Sequence, residues 1–534
     1  MADKTNVLIL IVCCLFLYFI GSTSINLTDP DEVFYSVTAK EMLINNSVLT
    51  PLIFGKPQFE KPPLFYWSLM ASFKVFGINT FAARLVPALF GIIGVLGTYF
   101  FMRKIFNSSV SFYAALFLST AFLYFGLSKT VITDIAFSVF AALTLYAFYL
   151  WHRFRKETYI VLFMIFLSLA MLTKGPLVLV LSLAAIIPFL AITKDLKALR
   201  PFLLNPYWII FLALGCSWFI YASLKYGREF TGEFFVRDNW HRILYAEHPH
   251  SDRWHFYPAI IAGGMFPWTA YLLLMGKGFK RYKKEYIFFI SWICTTFIIL
   301  TFAHSKLASY ILPIFPAICC ALAVSLDSLT GRSKMTFLAG IVNILLGITA
   351  LAAAPFIAKE YPDLSKPLFL SLLLLFIFMS AGGIFLIRGK FKQAIFINIA
   401  GIAAFLLAGV STVPNRLETA FSDHSLPGIV RQYDYRGEPI LCSKIYTRGV
   451  YFYTGNPVKV LNLGSENPFW SKHPLDVIST EGEMRSLFNS RDRILCVLTD
   501  DGLENLNEFF GKSRKNTVIS HNLDRAVVLS EKPR

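Results

Sequence analysis

The chain has 534 residues, of which 56% are hydrophobic and only 16% are charged, and its mean hydropathy is +0.57. A soluble domain carries about 25% charged residues, so this composition excludes a soluble protein and indicates a bilayer protein. The formal net charge of +17 would also suit nucleic acid binding. The basic residues, however, lie in short clusters between apolar runs of about 20 residues, as in membrane proteins. We therefore predict no nucleic acid partner.

Apolar runs long enough to cross a bilayer recur along the chain as far as residue 414. The first run also suits a cleaved signal peptide over residues 1–24, although no convincing cleavage site follows it. The stretch 63–101 suits either one span preceded by a partly immersed segment or two spans. We predict about thirteen transmembrane helices, beginning near Asn6, Pro63 or Phe81, Ser109, Ile132, Tyr159, Pro176, Pro206, Phe256, Tyr286, Leu307, Thr336, Pro367 and Ala394.

Basic residues are distributed unevenly between alternate loops. With one span in 63–101 and a cytoplasmic N-terminus, most of the Lys and Arg clusters fall in cytoplasmic loops, for example Lys277, Lys280, Arg281, Lys283 and Lys284. The loops of the opposite face carry mostly single lysines. By the positive-inside rule, this bias predicts that the long loops 25–62 and 224–254 and the C-terminal region face the periplasm.

The composition changes abruptly at about residue 415. From there to residue 534, strand-like and helical runs alternate, which predicts a small α/β domain. The two cysteines of this region, Cys442 and Cys496, fall in strands and form either a disulfide, which an oxidising compartment permits, or buried free thiols, which we expect. The predicted strands are Pro439–Ile445, Gly449–Phe452, Val458–Leu463, Arg493–Leu498 and Ala526–Leu529, and the predicted helices are Leu426–Tyr433, Glu481–Asn489 and Leu503–Phe510.

Ionisable residues within or beside membrane segments are costly, and by default they indicate a functional site. In the predicted orientation, five loops distant in sequence bring such residues to one membrane face. Carboxylates, lysines and histidines on one face predict a cleft with a cationic lining, which suits a phosphate-bearing substrate that enters from the lipid. The residues concerned include Asp31, Glu32, Glu60, Lys61, Asp134, Lys174, Arg253, His255, Lys306 and Tyr310.

Each of these residues also has a purely structural explanation. Asp29 suits a helix N-cap with Pro30 at the first helical position, and Asp31 and Glu32 in the first turn would stabilise the helix dipole. Lys174 would simply extend to the membrane interface, and the histidine-rich loop would be an ordinary solvated loop. The coincidence of five loops at one face favours the functional explanation.

Several short motifs lie in order over about residues 25–320. They are Asp31-Glu32 with Tyr35, Phe59-Glu60-Lys61-Pro62-Pro63, Thr133-Asp134, Thr173-Lys174-Gly175-Pro176, Phe266-Pro267-Trp268 and Lys306-Leu307-Ala308-Ser309-Tyr310. Together they resemble the motifs of the protein O-mannosyltransferase-like glycosyltransferases of the GT-C superfamily, and among them the lipid A 4-amino-4-deoxy-L-arabinose transferase branch. This resemblance implies a GT-C transmembrane domain over 1–414, with about thirteen helices, and a periplasmic α/β domain over 415–534.

The resemblance also implies an activity and a location. It implies an inverting glycosyltransferase that moves a sugar from a polyprenyl phosphate, undecaprenyl phosphate in bacteria, to a lipid or glycan acceptor at the periplasmic face, with lipid A as the acceptor in the aminoarabinose branch. It implies a multi-pass protein of the bacterial inner membrane, and no nucleotide cofactor is expected. Another glycan or a protein remains an alternative acceptor. A flippase or transporter of a lipid-linked sugar is disfavoured because no internal repeat is evident.

Site residues carry over by motif position. Asp31 and Asp134 match the two carboxylates predicted to be catalytic, and Phe34 stands where the aminoarabinose branch usually has arginine. One divalent metal, zinc, magnesium or manganese, would be held by Glu60, His255 and His424. The remaining residues are predicted to bind substrate, and their cations would stabilise the leaving phosphate: Glu32, Tyr35, Lys61, Lys174, Arg253, Lys306 and Tyr310.

Overall fold

The computed structural model describes residues 2–241, 244–245, 252–329, 331–360, 365–410, 422, 424–461, 476–511, 513–522 and 524–533. The chain divides into two compact units. The first unit comprises Met1–Ser22, Phe59–Phe65 and Arg84–Thr412, and the second comprises Thr23–Gln58, Tyr66–Ala83 and Val413–Arg534.

Apolar helices dominate the first unit. In the described part of the chain, eight helices are long and apolar enough to cross a membrane, or nine if the bent pair Leu196–Leu203 and Trp208–Gly215 forms one span. This confirms a multi-pass membrane protein. The eight are Thr80–Ile105, Thr133–Phe154, Glu157–Lys174, Lys283–Phe302, Ala308–Asp327, Lys334–Lys359, Leu368–Ile387 and Phe391–Gly409.

Shorter helices lie before residue 275, and most of one of them, Leu64–Phe76, belongs to the second unit. Leu64–Phe76 has 13 residues, or about 20 Å at 1.5 Å per residue, too short for a hydrocarbon core of about 30 Å. Thr80–Ile105 has 26 residues, so the length favours one span in the stretch 63–101. The others are Ala2–Phe19, Ser108–Thr120, Phe122–Leu127, Leu177–Ile192, Ser217–Tyr226, Arg228–Thr231, Gly232–His241, Phe256–Gly264 and the 3-10 segment Thr269–Leu274.

The predicted span near Phe256 does not form one continuous helix. Its helix, Phe256–Gly264, has only nine residues and is followed by the 3-10 turns of Thr269–Leu274. The physical reason is Pro267, which lies between them and has no backbone N–H to continue the helix. A prediction from the apolar run alone, which ignores the proline, therefore overestimates the length of the helix.

Two long helices of the first unit position its polar groups. Thr133–Phe154 is buried along most of its length and carries Asp134 in its first turn. The following helix, Glu157–Lys174, returns alongside it and ends with Lys174. Because the helices run in opposite directions, the N-terminus of the first meets the C-terminus of the second. An acid at the former and a base at the latter also suit the two helix dipoles.

The strands of the second unit form two sheets. A small antiparallel sheet consists of β1 Leu52–Ile53 and β2 Lys56–Pro57. The other sheet, at the centre of the unit, consists of β3 Ile440–Ser443, β4 Val458–Leu461, β5 Asp476–Ile478, β6 Arg493–Leu498, β7 Lys515–Asn522 and β8 Arg525–Glu531.

This six-stranded sheet is mixed, with strand order β5-β4-β3-β6-β8-β7. Strands β3, β4, β5 and β6 are parallel, whereas β8 is antiparallel to β6 and β7 is antiparallel to β8. The helices include Leu426–Gln432, Glu481–Ser490, Asp500–Phe510 and the crossover helix, Thr447–Thr454.

The α/β class predicted for this region is confirmed, but one predicted strand is wrong. Gly449–Phe452 lies within the crossover helix because β3 and β4 are parallel neighbours, and parallel neighbours need a crossover, usually a helix. That requirement outweighs the strand propensity of Val450 and Phe452. Strands β5 and β7 were not predicted.

Cys442 and Cys496 are free and buried, as we expected. They lie on adjacent strands, but Cys442 packs in the core on one face of the sheet and Cys496 in the core on the other. Side chains of opposite faces cannot form a disulfide without a backbone shift. Burial also raises the pKa of the Cys496 thiol to about 12, so this thiol is protonated and inert at neutral pH.

The first long loop of the chain folds with the C-terminal sheet. Its helix, Asp31–Ile44, is the loop helix, and its residues from Glu32 to Ala39 are all buried. Lys40 Nζ donates a hydrogen bond to the carbonyl oxygen of Phe452 at 2.8 Å. The two compact units thus assign this loop differently from the predicted domains 1–414 and 415–534, which remain a prediction.

Asp29 is not the N-cap of the loop helix. The helix begins at Asp31, and the capping position is held by Pro30 without a side-chain hydrogen bond. Thr28 donates from its backbone N–H and its hydroxyl to Glu32 at 3.1 and 2.9 Å. Asp29 instead accepts a hydrogen bond from Arg525 at 2.8 Å. A long-range ion pair therefore takes the carboxylate that local sequence assigned to the helix end.

Candidate functional site

A polar cavity of about 120 Å³ lies within the first unit. Side chains from five separate stretches of sequence meet there, which only the tertiary packing of this unit accomplishes. Its lining combines two lysines and two carboxylates with apolar and aromatic groups: Glu60, Lys61, Phe137, Lys174, Leu177, Asp238, Leu300, Ala303, Ser305 and Tyr310. The cavity therefore contains three of the residues predicted to bind substrate and one predicted metal ligand.

Lys174 is the most firmly held cation of the cavity. Its Nζ atom lies 2.6 Å from Asp134 Oδ1 and 4.1 Å from the centroid of the Tyr310 ring. The ion pair and the cation–π contact together restrict the position of the ammonium group. Three residues predicted from separate motifs thus belong to one constellation.

Gly175 is required at the end of the helix that carries Lys174. Its backbone φ of +96° is one that residues with a side chain rarely adopt. A Cβ atom there would lie 2.7 Å from Cζ of Phe234. Glycine therefore allows the chain to turn directly after Lys174. The backbone conformation thus explains why the second residue of the Lys-Gly-Pro motif is glycine.

Lys61 is held by a second acidic group. Its Nζ atom lies 3.6 Å from Asp238 Oδ2, and Asp238 also accepts a hydrogen bond from Arg237 Nε at 3.2 Å. Burial opposes the charge of Arg237, but the carboxylates of Asp238, Glu233 and Glu60 raise the pKa of its guanidinium above the ordinary value. Arg237 is therefore a permanent cation beside the cavity.

Lys306 is engaged outside the lining of the cavity. Its ammonium forms an ion pair with Asp252, whose Oδ2 also lies 2.7 Å from Nδ1 of His304. Hydrogen bonds from Lys306 and then His304 lower the pKa of the Asp252 carboxyl below its usual value. The neighbouring Ser305 does line the cavity, so the Asp252 cluster positions one wall of it.

The structure does not bring the predicted metal ligands together as a set. Glu60 lines the cavity, His255 is exposed in the first unit, and His424 is exposed in the second. Among the residues that the structure describes, no group of three His, Cys, Asp or Glu side chains could hold a metal ion. The metal remains a prediction, and no step of the mechanism depends on it. Arg253, which was predicted to bind substrate, is also exposed.

Three predicted residues belong to the loop helix of the second unit. Asp31, the first residue of this helix, is exposed, whereas Glu32 and Tyr35 are buried. The Glu32 carboxylate holds Thr28, and the Tyr35 ring packs against Tyr66 with centroids 6.0 Å apart. Asp31 is thus the carboxylate of this helix with the most access to solvent.

Sequence reasoning missed several residues of the site. Asp238 was noticed as one polar residue of a long loop, without a role, and Asp252 was not noticed. Phe137 lies one helical turn after Asp134, and this spacing places the two on one helix face. For Asp252 no signal existed, since its partner Lys306 is distant in sequence.

Comparisons with known proteins show what the chain is similar to. Residues 60–221 match the family model described as dolichyl-phosphate-mannose-protein mannosyltransferase. The fold matches the crystal structure of ArnT from Cupriavidus metallidurans bound to undecaprenyl phosphate, with a TM-score of 0.80, 19% identity, and coverage of 98% of this chain and 97% of that one. The chain therefore has the fold of the GT-C membrane glycosyltransferases.

Sequence relatives refine this class. The undecaprenyl phosphate-alpha-4-amino-4-deoxy-L-arabinose arabinosyl transferase of Edwardsiella ictaluri is 25% identical over 64% of this chain and 63% of its own length. An uncharacterized protein of Aquifex aeolicus is 29% identical over 61% of this chain and 65% of its own. The alignments thus span less than two thirds of either relative. The chain thus resembles the aminoarabinose transferases over part of its length and shares the fold of ArnT.

Proposed function

We propose that the protein is an integral-membrane inverting glycosyltransferase that moves a sugar from undecaprenyl phosphate to lipid A. The observation that carries the proposal is the cavity that joins Lys61, Lys174 and Tyr310 in the first unit. Two ammonium groups and an aromatic ring suit a sugar phosphate, because phosphate needs cations and a sugar ring packs on aromatic faces. The ArnT structure of similar fold is bound to undecaprenyl phosphate.

The ion pairs of the cavity hold its two lysines in place before a ligand enters. Each lysine already faces a carboxylate, Lys174 at 2.6 Å and Lys61 at 3.6 Å, so neither charge is unpaired while the cavity is empty. An entering phosphate adds negative charge to lysines that are held in place, which costs little reorganisation. Arg237, behind Asp238, offsets part of the negative charge of the carboxylates.

The reaction follows from these charges. The acceptor oxygen attacks the anomeric carbon as the bond from that carbon to the phosphate oxygen breaks, and the phosphate leaves with the electron pair. Lys61 and Lys174 stabilise the charge that develops on the leaving phosphate. A hydroxyl acceptor would lose its proton to Asp31 as general base, whereas a phosphate acceptor is largely ionised at neutral pH, and Asp31 would then orient the sugar.

The orientation of the protein is part of the proposal. The excess of basic residues in alternate loops supports a cytoplasmic N-terminus, which directs the cavity and the C-terminal unit to the periplasm of the bacterial inner membrane. Undecaprenyl-linked sugar and lipid A would then meet at that face.

A transfer assay tests the proposal directly. Purified protein in nanodiscs, given a radiolabelled undecaprenyl-phosphate sugar and lipid A, should release undecaprenyl phosphate and label lipid A. Lys174→Met should slow the formation of both products by about a hundred- to a thousandfold, whereas exchange of the exposed Lys277 for Met should leave it unchanged. Movement of the intact labelled lipid across the bilayer without cleavage would reject the transferase in favour of a flippase.

Mass spectrometry of cells with and without the gene tests the acceptor. Loss of a sugar from lipid A would support the proposed acceptor, and the mass lost would identify the sugar. Unchanged lipid A together with a sugar missing from another glycan or from a protein would reject lipid A while leaving the reaction class intact.

A further inference from the structure

Another cavity of the first unit lies at the ends of two membrane helices. The connection 328–333 leads into the helix Lys334–Lys359, and the connection 388–390 follows the helix Leu368–Ile387, so both connections lie at one face of the membrane. The cavity has a volume of about 360 Å³, which about twelve water molecules would fill. It therefore has room for a chemical group larger than a single ion. Its lining comes from these two places: Arg332, Ser333, Lys334, Phe337 and Ile387.

The two connections contact each other. Gly389 has a backbone φ of +71°, and a Cβ atom there would lie 2.9 Å from the backbone nitrogen of Arg332, so only glycine allows this close approach. The contact brings together the basic residues of both connections and of the helix start that follows the second one. Five exposed cations thus meet at this end of the helices: Arg332, Lys334, Arg388, Lys390 and Lys392.

No carboxylate nearby in sequence offsets these five charges. Residues 328–358 and 365–410 contain neither Asp nor Glu, and Asp327 is engaged by Arg281 at 3.6 Å and by the Tyr282 hydroxyl at 3.0 Å. Within the described part of the chain, none of the five cations forms an ion pair. The positive-inside rule accounts for basic residues in such connections, but it does not account for their convergence on a cavity.

Apolar side chains border the same cavity. Phe337 and Ile387 form its apolar wall. Phe337, Leu338 and Ile384 of the same two helices are exposed, and exposed apolar side chains of a spanning helix contact the hydrocarbon of the bilayer. A ligand of this cavity therefore meets cations beside lipid chains, which suits a phospholipid better than free phosphate.

We propose that this cavity binds the headgroup of an anionic phospholipid, whose phosphate contacts Arg332 and Lys334 while its acyl chains lie along Phe337. A guanidinium binds phosphate through two parallel N–H groups, and an ammonium binds it as a point charge. Basic pockets between membrane helices hold such headgroups on the cytoplasmic side, which is the side that the predicted orientation gives to these connections. The inference does not depend on the proposed function.

Native mass spectrometry of the full-length protein in detergent tests the inference. The probes are phosphatidylglycerol and phosphatidylcholine with identical acyl chains, and inorganic phosphate serves as a competitor. The pocket variant combines Arg332→Gln with Lys334→Gln. The control variant combines Lys277→Gln with Lys280→Gln, which removes two exposed lysines of another basic connection that does not line the cavity.

We expect the unsubstituted protein to bind phosphatidylglycerol more tightly than phosphatidylcholine, because the choline cation offsets the phosphate charge. The pocket variant should bind phosphatidylglycerol about thirtyfold more weakly, since each basic residue near an anionic lipid contributes about fivefold. The control variant should match the unsubstituted protein. Millimolar inorganic phosphate should not displace the bound lipid.

Equal binding of phosphatidylglycerol by the pocket variant and the unsubstituted protein would overturn the inference. An equal loss in the pocket and control variants would also overturn it, since attraction by net charge would then suffice. Displacement of the lipid by inorganic phosphate would reject the phospholipid as the ligand. Thermal unfolding of each variant accompanies the measurement, and if the pocket variant is unfolded, Lys334→Gln against Lys277→Gln decides the result, with an expected loss of about fivefold.

Discussion

The polar cavity of the first unit and the sheet of the second each have an ion pair, but the two pairs differ in environment. Lys174 and Asp134 retain 12% and 9% exposure at the cavity, whereas Arg525 and Asp29 retain 4% each. A pair at a cavity wall can share its cation with an entering anion. A fully buried pair cannot, since loss of one partner leaves the other charge desolvated. The first pair therefore suits substrate binding, and the second suits anchoring.

The largest expected effect is on the anchoring pair. Arg525→Met should lower the free energy of unfolding by about 3–5 kcal/mol, because it leaves the buried carboxylate of Asp29 without its cation. Denaturant unfolding in detergent measures the effect. Arg485→Met, at an exposed position of the same unit, is the matched control, and Asp29→Asn combined with Arg525→Met should recover part of the loss. A change of stability below about 0.5 kcal/mol, the ordinary range for surface sites, would contradict the anchoring role.

The cavity pair should respond in activity rather than in stability. Lys174→Met should lower kcat of sugar transfer by about a hundred- to a thousandfold, the usual cost of removing one preorganised group that stabilises transition-state charge. The transfer assay with the lipid-linked donor measures it, with Lys277→Met as the control. A variant with normal kcat and only a raised KM would show that Lys174 binds the ground state and the transition state equally, and would contradict a catalytic role.

A smaller effect is expected at the turn that positions Lys174. Gly175→Ala must strain the backbone at its φ of +96° and displace Phe234, which should cost about 1–3 kcal/mol of stability and lower transfer activity. Gly232 is a matched control, because a Cβ atom there meets nothing within 4 Å. Equal stability and activity of Gly175→Ala and Gly232→Ala would show that the turn does not position the lysine.

The smallest effect is a dependence on pH. The folded-state pKa of Asp252 is lowered by Lys306 and His304, so the folded protein holds this proton less tightly than the unfolded chain. The resulting stability is present above the ordinary carboxyl pKa of 3.8 and is lost as the pH falls through the lowered value. As the pH falls from neutral to 3, the unfolding temperature of the unsubstituted protein should therefore decrease more steeply than that of Asp252→Asn. Identical slopes would reject the ion pair in solution.

Local sequence predicted the elements whose signal is local. The strand Arg493–Leu498 and the helix starting at Glu481 have the predicted bounds or nearly so, because a continuous apolar run and a capping box are contained within a few residues. Gly449–Phe452 was predicted incorrectly because its conformation depends on the parallel pairing of β3 with β4. Pairing between strands is a property of distant residues.

The residues of the candidate site also differ in whether local sequence could predict them. The cluster of Lys174, Asp134 and Tyr310 could be anticipated because each residue belongs to a motif and each lies at the predicted membrane face. Asp238 and Asp252 hold Lys61 and Lys306 without belonging to any motif. Likewise, Gly389 follows Arg332 by 57 residues in sequence, and no pattern in the chain indicates that the two meet.

The sequence by itself determined that this protein crosses a membrane several times and ends in an α/β region, because both follow from the hydropathy and periodicity of continuous segments. The tertiary structure alone decided which charges face one another. It pairs Lys174 with Asp134 and separately folds the first loop onto the C-terminal sheet through Asp29 and Arg525. Burial and ion pairing depend on which segments pack together, and that choice is made by the whole chain.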